Sequence, residues 1–151
     1  MKVGVVSDTH GLLRPGVLTA LAGCDHILHA GDVGDRAILD VLAGIAPVTA
    51  IRGNIDDHGP CSQLPPIEIV ELEGRSIYML HDVHDLDLDP AAAGIAAVIS
   101  GHSHKPAVEW RKGVLYFNPG SCGPRRFSLP VSLGFLEIAA ESIEPHLLTI
   151  K

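Results

Sequence analysis

The chain has 151 residues, 46% of them hydrophobic, enough for one domain of ordinary size over residues 1–151 with its own core. Its formal net charge of −7, from 18 acidic against 11 basic residues, leaves no broad cationic surface and excludes long nucleic acid and anionic membrane as partners. Cys24, Cys61 and Cys122 are odd in number and widely spaced, so neither a disulfide framework nor a thiolate zinc site is expected.

The first element is Lys2-Val3-Gly4-Val5-Val6, a valine-rich run that reads as a buried strand and breaks into Ser7-Asp8-Thr9-His10. This run is too short for a signal peptide, and no later segment approaches the ~20 apolar residues of a membrane span, so a cytoplasmic protein is expected. Arg14-Pro15 to Ala22-Gly23 reads as a short helix with proline at its start and glycine at its stop. His26-Ile27-Leu28-His29-Ala30 is a second strand ending in Gly31-Asp32. Asp35 to Ala43 is a second helix with Ile38, Leu39 and Leu42 on one face. Pro47-Val48-Thr49-Ala50-Ile51 is a third strand, ending in Arg52-Gly53-Asn54. This βαβαβ pattern predicts a parallel sheet with right-handed crossovers.

Strands crowd the second half. Ile67 to Leu72 and Ser76 to Leu80 form a hairpin through Glu73-Gly74, and the second strand ends at His81. Ala96 to Ser100 leads into Gly101-His102-Ser103-His104. Val108-Glu109-Trp110 and Val114 to Phe117 make another hairpin, and Ser132 to Ala139 and Ile143 to Ile150 close the chain as strands. A parallel half followed by a mostly antiparallel half predicts an α/β fold with two sheets packed face to face and helices outside.

Five strands thus end in side chains able to bind a metal: Asp8 and His10, Asp32, Asn54, His81, and His102 and His104. The tips of strands in open α/β sheets are where such folds keep their sites. A glycine before the ligand at Gly31, Gly53 and Gly101 predicts unusual backbone and close approach to an ion. Two aspartates, one asparagine and four histidines give a nitrogen and oxygen shell without sulfur, suited to Mn, Fe, Co, Ni or Zn. Seven ligands exceed one tetrahedral ion and suit two ions sharing a carboxylate, a usual arrangement for phosphoester hydrolysis.

In order, these motifs resemble the calcineurin-like metallophosphoesterase superfamily, and with Asn118-Pro119-Gly120-Ser121 its compact bacterial and archaeal phosphodiesterases related to the retromer small subunit. The resemblance implies a four-layer α/β/β/α sandwich. It implies that Asp8, His10, Asp32 and His104 hold one metal and Asp32, Asn54, His81 and His102 the other, with Asp32 bridging. Catalysis is expected of Asp8, Asp32, Asn54 and His102, through a metal-bound hydroxide that attacks the phosphorus of a small phosphodiester. The expected cofactors are two divalent ions, manganese first, with Fe, Zn, Ni or Co as alternatives. A non-catalytic protein-interaction scaffold of the retromer-subunit kind is the competing reading.

The chain departs from the family pattern twice. Many members carry a histidine after Gly-Asn as proton donor or phosphate contact, and here the position is Ile55, followed by Asp56-Asp57. Compact members commonly read His-Gly-His where this chain reads His81-Asp82-Val83-His84, which leaves the role of His84 open. His29 reads equally as an outer partner of the site or as a satisfied core histidine. Arg125-Arg126 is placed to reach a phosphate or to do nothing specific. Ser121 has no matched histidine-acid partner and is not a nucleophile. Asp85, Asp87 and Asp89 read as a solvated acidic rim.

Overall fold

In the computed structural model, which describes residues 1–150, the valine-rich opening run is strand β1 (Lys2–Val6), central to the first of two five-stranded sheets. The chain proceeds through α1 (Pro15–Leu21), β2 (His26–His29), α2 (Arg36–Ala43) and β3 (Val48–Ala50). Pro15 starts α1 where its missing N–H is not needed, and Asp35 caps α2 by accepting the Ala37 N–H at 2.9 Å. Strand β1 pairs in parallel with β2, and β2 with β3, as the βαβαβ pattern requires.

The second sheet is built from β4 (Ile67–Leu72), β5 (Arg75–Leu80), β6 (Ile95–Ile99), β7 (Ala107–Arg111) and β8 (Val114–Asn118), in the order β4-β5-β6-β8-β7. The hairpins β4/β5 and β7/β8 are antiparallel, yet β6 runs parallel to both β5 and β8. The mostly antiparallel second half expected from the sequence is therefore a mixed sheet. Segments 81–94 and 100–113 are long enough to carry the chain back for parallel pairing, which tight turns cannot do. Strands β9 (Ser132–Ala139) and β10 (Ser142–Thr149) return to the first sheet beside β1, giving the order β10-β9-β1-β2-β3.

The sheets bury a common layer of Val3, Val5, Leu28, Met79, Ile99, Leu115, Phe117 and Leu136. Both α-helices cover the outer face of the first sheet, where Val17, Leu21, Ile38 and Leu42 meet Val6, Ile27 and Leu133. On the outer face of the second sheet Val83 and Leu86, in and after a 3-10 turn (Val83–Asp85), pack on Tyr78, Leu80 and Val98. The C-terminal tips of β1, β2, β5 and β6 converge at one end of the sandwich. Asp8 N–H donates to the Gly31 carbonyl at 2.9 Å, and Gly101 N–H to the His81 carbonyl at 2.9 Å.

Candidate metal centre

The loops at these tips hold their side chains through backbone geometry that most residues avoid. Asp8 (φ 58°), His10 (47°), Asp32 (56°), His102 (72°) and His104 (62°) all lie in the left-handed region. Such residues cluster where a site, rather than local propensity, dictates the conformation. The neighbouring glycines serve the aspartates more than an ion. A Cβ on Gly53 would collide with Oδ1 of Asp32, and one on Gly101 with Ser7 Oγ and, at 2.6 Å, with Oδ2 of Asp8.

Asp8 is fully buried, and its two oxygens have different fates. Oδ2 accepts from Ser7 Oγ at 2.7 Å and from the His102 N–H at 3.1 Å. Oδ1 has no hydrogen-bond partner and faces His104 Nε2 at 3.4 Å, His10 Nε2 at 3.7 Å and His81 Nε2 at 3.7 Å. Burial would raise the Asp8 carboxyl, but the nearby imidazoles of His10, His104 and His81, together with the Ser7 hydroxyl, outweigh it, so the group sits well below the usual carboxylate range. Asp32 is organised alike. Oδ1 accepts the Ile55 N–H at 3.1 Å, and Oδ2 faces His81 Nε2 at 3.3 Å and His10 Nε2 at 3.5 Å. Burial pushes Asp32 up, and the contact with His81 brings it below its ordinary value.

The imidazoles are oriented from behind. Nδ1 of His81 lies 2.7 Å from the Ala30 carbonyl and donates to it, which leaves Nε2 as a lone pair aimed at the carboxylates. That Nε2 is buried without a partner, as is Nδ1 of His104. Nε2 of His10 and Nε2 of His104 face each other at 3.2 Å, a spacing that suits one ring N–H donating to the other ring or two lone pairs turned to a shared cation. Burial lowers the basicity of His81, but Asp32 and the Ala30 carbonyl more than offset it, and the group is raised.

Two sets therefore bring ligand atoms within 4.8 Å of one another: Asp8 with His10 and His104, and Asp8 with Asp32 and His81. The unpartnered Asp8 Oδ1 and His81 Nε2 fit a divalent cation, since buried polar atoms are otherwise paired. The other two expected residues are placed less tightly. The His102 ring is exposed, packs edge-on to His81 with centroids 5.3 Å apart, and has Nε2 3.7 Å from Asp82 Oδ2. Asn54 lines a pocket of about 340 Å³ with Arg52, Asp57, His81, Asp82 and Asp85, which shares His81 with the second ligand set. A larger cavity of about 530 Å³, between α2, β3 and β4, contains none of these groups.

Several residues whose placement the sequence left open have clear positions. His84 is exposed and binds Asp82 Oδ1 at 2.9 Å, away from the ligand sets. His29 is a satisfied core histidine: Nδ1 accepts the Gly31 N–H at 3.1 Å, and Nε2 donates to Thr9 Oγ1 at 3.0 Å. Burial pushes it down to about 4, with the charge of Asp8 opposing. His26 is half-buried and bonds Thr49 Oγ1 at 2.8 Å. Ser121 donates to the Asp8 carbonyl at 2.9 Å, and Nδ2 of Asn118 to the Gly101 carbonyl at 2.9 Å, so both brace the ligand loops.

Three contributors escaped the sequence reading. Asp56 is buried and accepts N–H bonds from Val33, Gly34 and Gly53 at 2.9–3.0 Å, tying the Asp32 loop to the Asn54 turn. It stands three residues after Gly53, the position from which a carboxylate reaches back to the N–H that precedes a helical turn, here at 2.9 Å. Asp82 faces His102, and the Ile55 backbone N–H serves Asp32 whatever its side chain.

The family model for the calcineurin-like phosphoesterase superfamily domain matches residues 1–141. A probable metallophosphoesterase of Methanocaldococcus jannaschii is 36% identical over 134 residues, covering 80% of this chain and 68% of that one. A phosphodiesterase of the same organism is 26% identical over 156 residues, covering 91% and 93%. The structure of vacuolar protein sorting 29 from Cryptosporidium parvum superposes with a TM-score of 0.84 at 18% identity, over 99% of this chain and 91% of that one, a likeness of fold.

Proposed function

This chain belongs to the calcineurin-like phosphoesterase superfamily, and on that premise we propose that it is a phosphodiesterase that hydrolyses small diesters with two divalent ions, manganese first among them. The observation that carries the reading is the convergence of unpartnered buried atoms, Asp8 Oδ1 and His81 Nε2, on one point beside His10, His104 and Asp32. When bound, two such ions would neutralise charge on the phosphoryl oxygens and activate a water for in-line attack on phosphorus.

The chain's own residues would divide the work. Asp8, His10, Asp32 and His104 would hold one ion, and Asp32, Asn54, His81 and His102 the other, with Asp32 between them. His81 is oriented by the Ala30 carbonyl so that Nε2 faces the carboxylates, where it would present its lone pair to an ion. The exposed ring of His102, edge-on to His81, would be free to meet a phosphoryl oxygen. Asp57, Asp82 and Asp85 beside the pocket disfavour a dianionic monoester and admit a diester of single charge. The reading takes residues 1–151 as one domain and a cytoplasmic setting, in keeping with three free, buried cysteines. No helix among the described residues is long and apolar enough to cross a membrane.

A protein-interaction scaffold is the competing reading, and it would leave Asp8 Oδ1 buried without purpose. Metal analysis with turnover of bis(p-nitrophenyl) phosphate against p-nitrophenyl phosphate separates the two. We expect two ions per chain and faster diester turnover; a chain that binds no metal and hydrolyses neither compound is a scaffold.

A further inference from the structure

Segment 121–131 starts against the Asp8 loop and closes on its own first residue. Ser121 Oγ donates to the Asp8 carbonyl at 2.9 Å, Cys122 N–H to the Ser7 carbonyl at 3.2 Å, and Arg14 Nε to the Gly123 carbonyl at 3.0 Å. A Cβ on Gly123 would meet the Asp8 carbonyl at 2.6 Å. The return is closed by Ser132 N–H on the Ser121 carbonyl at 2.9 Å. At ~3.3–3.6 Å per residue, Arg125 and Phe127 stand within roughly 7 and 14 Å of Gly123 along the chain.

What this loop displays is unusual for the molecule. Phe127 is 89% exposed, and at φ 54° it holds a conformation uncommon for a bulky side chain. Arg125 and Arg126 are exposed, and neither forms an ion pair among the described residues, although the chain has seven more acids than bases. The packing of the fold does not use any of the three. An exposed aromatic ring on the same short loop as two unpaired arginines matches a ligand that carries a planar ring and a phosphate, the ring stacking and the phosphate meeting the fork of an arginine.

We propose that the Arg125–Arg126–Phe127 loop is a specificity site, which selects phosphodiesters bearing a planar aromatic arm such as a nucleobase. The proposal rests on the phosphodiesterase reading for its reaction, but not for its binding.

Two diesters with the same leaving group, thymidine 5′-p-nitrophenyl phosphate and methyl p-nitrophenyl phosphate, isolate the second arm. In manganese-loaded wild-type protein the thymidine ester should have the higher kcat/KM by about tenfold or more, chiefly through KM. In Phe127→Ala and Phe127→Gly that ratio should fall toward one; the ring is outside the core, and glycine tolerates the backbone at this position. Arg125→Ala with Arg126→Ala should weaken both esters alike, since both carry the phosphate. Calorimetry on the same proteins with adenosine 5′-monophosphate and inorganic phosphate gives a reading free of turnover. The nucleotide should bind about tenfold tighter in wild type and equally in Phe127→Gly. If neither ester is hydrolysed but this binding difference holds, the hydrolase reading fails and the specificity site stands. Equal binding of the two probes by wild type, or a ratio that survives both Phe127 variants, overturns the proposal.

Discussion

The backbone N–H of Ile55 donates to Oδ1 of Asp32 at 3.1 Å, and this contact turns Oδ2 toward His81 Nε2 at 3.3 Å and His10 Nε2 at 3.5 Å. One carboxylate oxygen thereby addresses a histidine from each proposed ion, while the other is held by a chain atom that side-chain substitution at Ile55 leaves in place.

Asp32→Asn keeps the shape and removes the charge. Its metal content should fall below that of His102→Ala, and turnover by at least ~100-fold, because several kcal/mol of charge stabilisation depend on the ions it would hold. Elemental analysis decides it: two ions per chain with near-normal rates in Asp32→Asn would exclude Asp32 as the bridge.

His81→Ala should empty one position selectively. The set Asp8, His10 and His104 is complete without His81, so anomalous scattering from manganese-soaked crystals should show the ion beside His10 and none beside Asn54. Loss of the His10 ion instead would reverse the partition.

Ile55 cannot donate a proton, and the structure narrows the substitutes. Both oxygens of Asp56 are taken by N–H donors, and His84 points at Asp82. Wild-type rates should therefore fall steeply as the leaving alcohol becomes more basic. Ile55→His, which retains the N–H to Asp32, should gain selectively on poor leaving groups, up to the ~10²–10⁴-fold typical of general acid catalysis. A flat dependence in the wild-type protein would mean that another group supplies the proton.

Asp56→Ala should unfold more readily in urea, since it orphans three N–H groups, of which Val33 and Gly53 belong to buried residues. Each buried, unsatisfied donor costs ~1–3 kcal/mol. The same variant should lose metal affinity by ~10–100-fold, as the Asp32 and Asn54 loops are no longer tied. Wild-type stability and affinity together would deny Asp56 this role.

His29 gives the fold a pH dependence of known sign. Its folded value of about 4 lies below the ordinary 6.5, so between those values the unfolded chain binds more protons. Stability is full above pH ~6.5 and declines as pH falls toward 4, by up to ~3 kcal/mol from this group. Urea titrations across this range should show a shallower slope in His29→Gln than in wild type; parallel curves would assign the titration to another group.

The alternation of valine-rich runs with short helical faces made β1 to β3 and both helices legible in the sequence, because burial of a face leaves a period in the chain. The strand-terminal residues from Asp8 to His104 were legible too, since each follows a strand break that local signals mark. Tertiary structure alone decided three things. That β9 and β10 join the first sheet, and that β6 lies parallel between β5 and β8, depends on long crossovers whose direction no local period encodes. Which oxygen of Asp8 and of Asp32 is left open depends on Ser7, His102 and Ile55 donors brought there by the loops, two of them backbone groups without any side-chain signature. That His84 turns away to Asp82, and that Asp56 rather than Asp57 turns inward, was set by the loops that carry them, Asp56 meeting the N–H groups of Val33, Gly34 and Gly53, rather than by residue type.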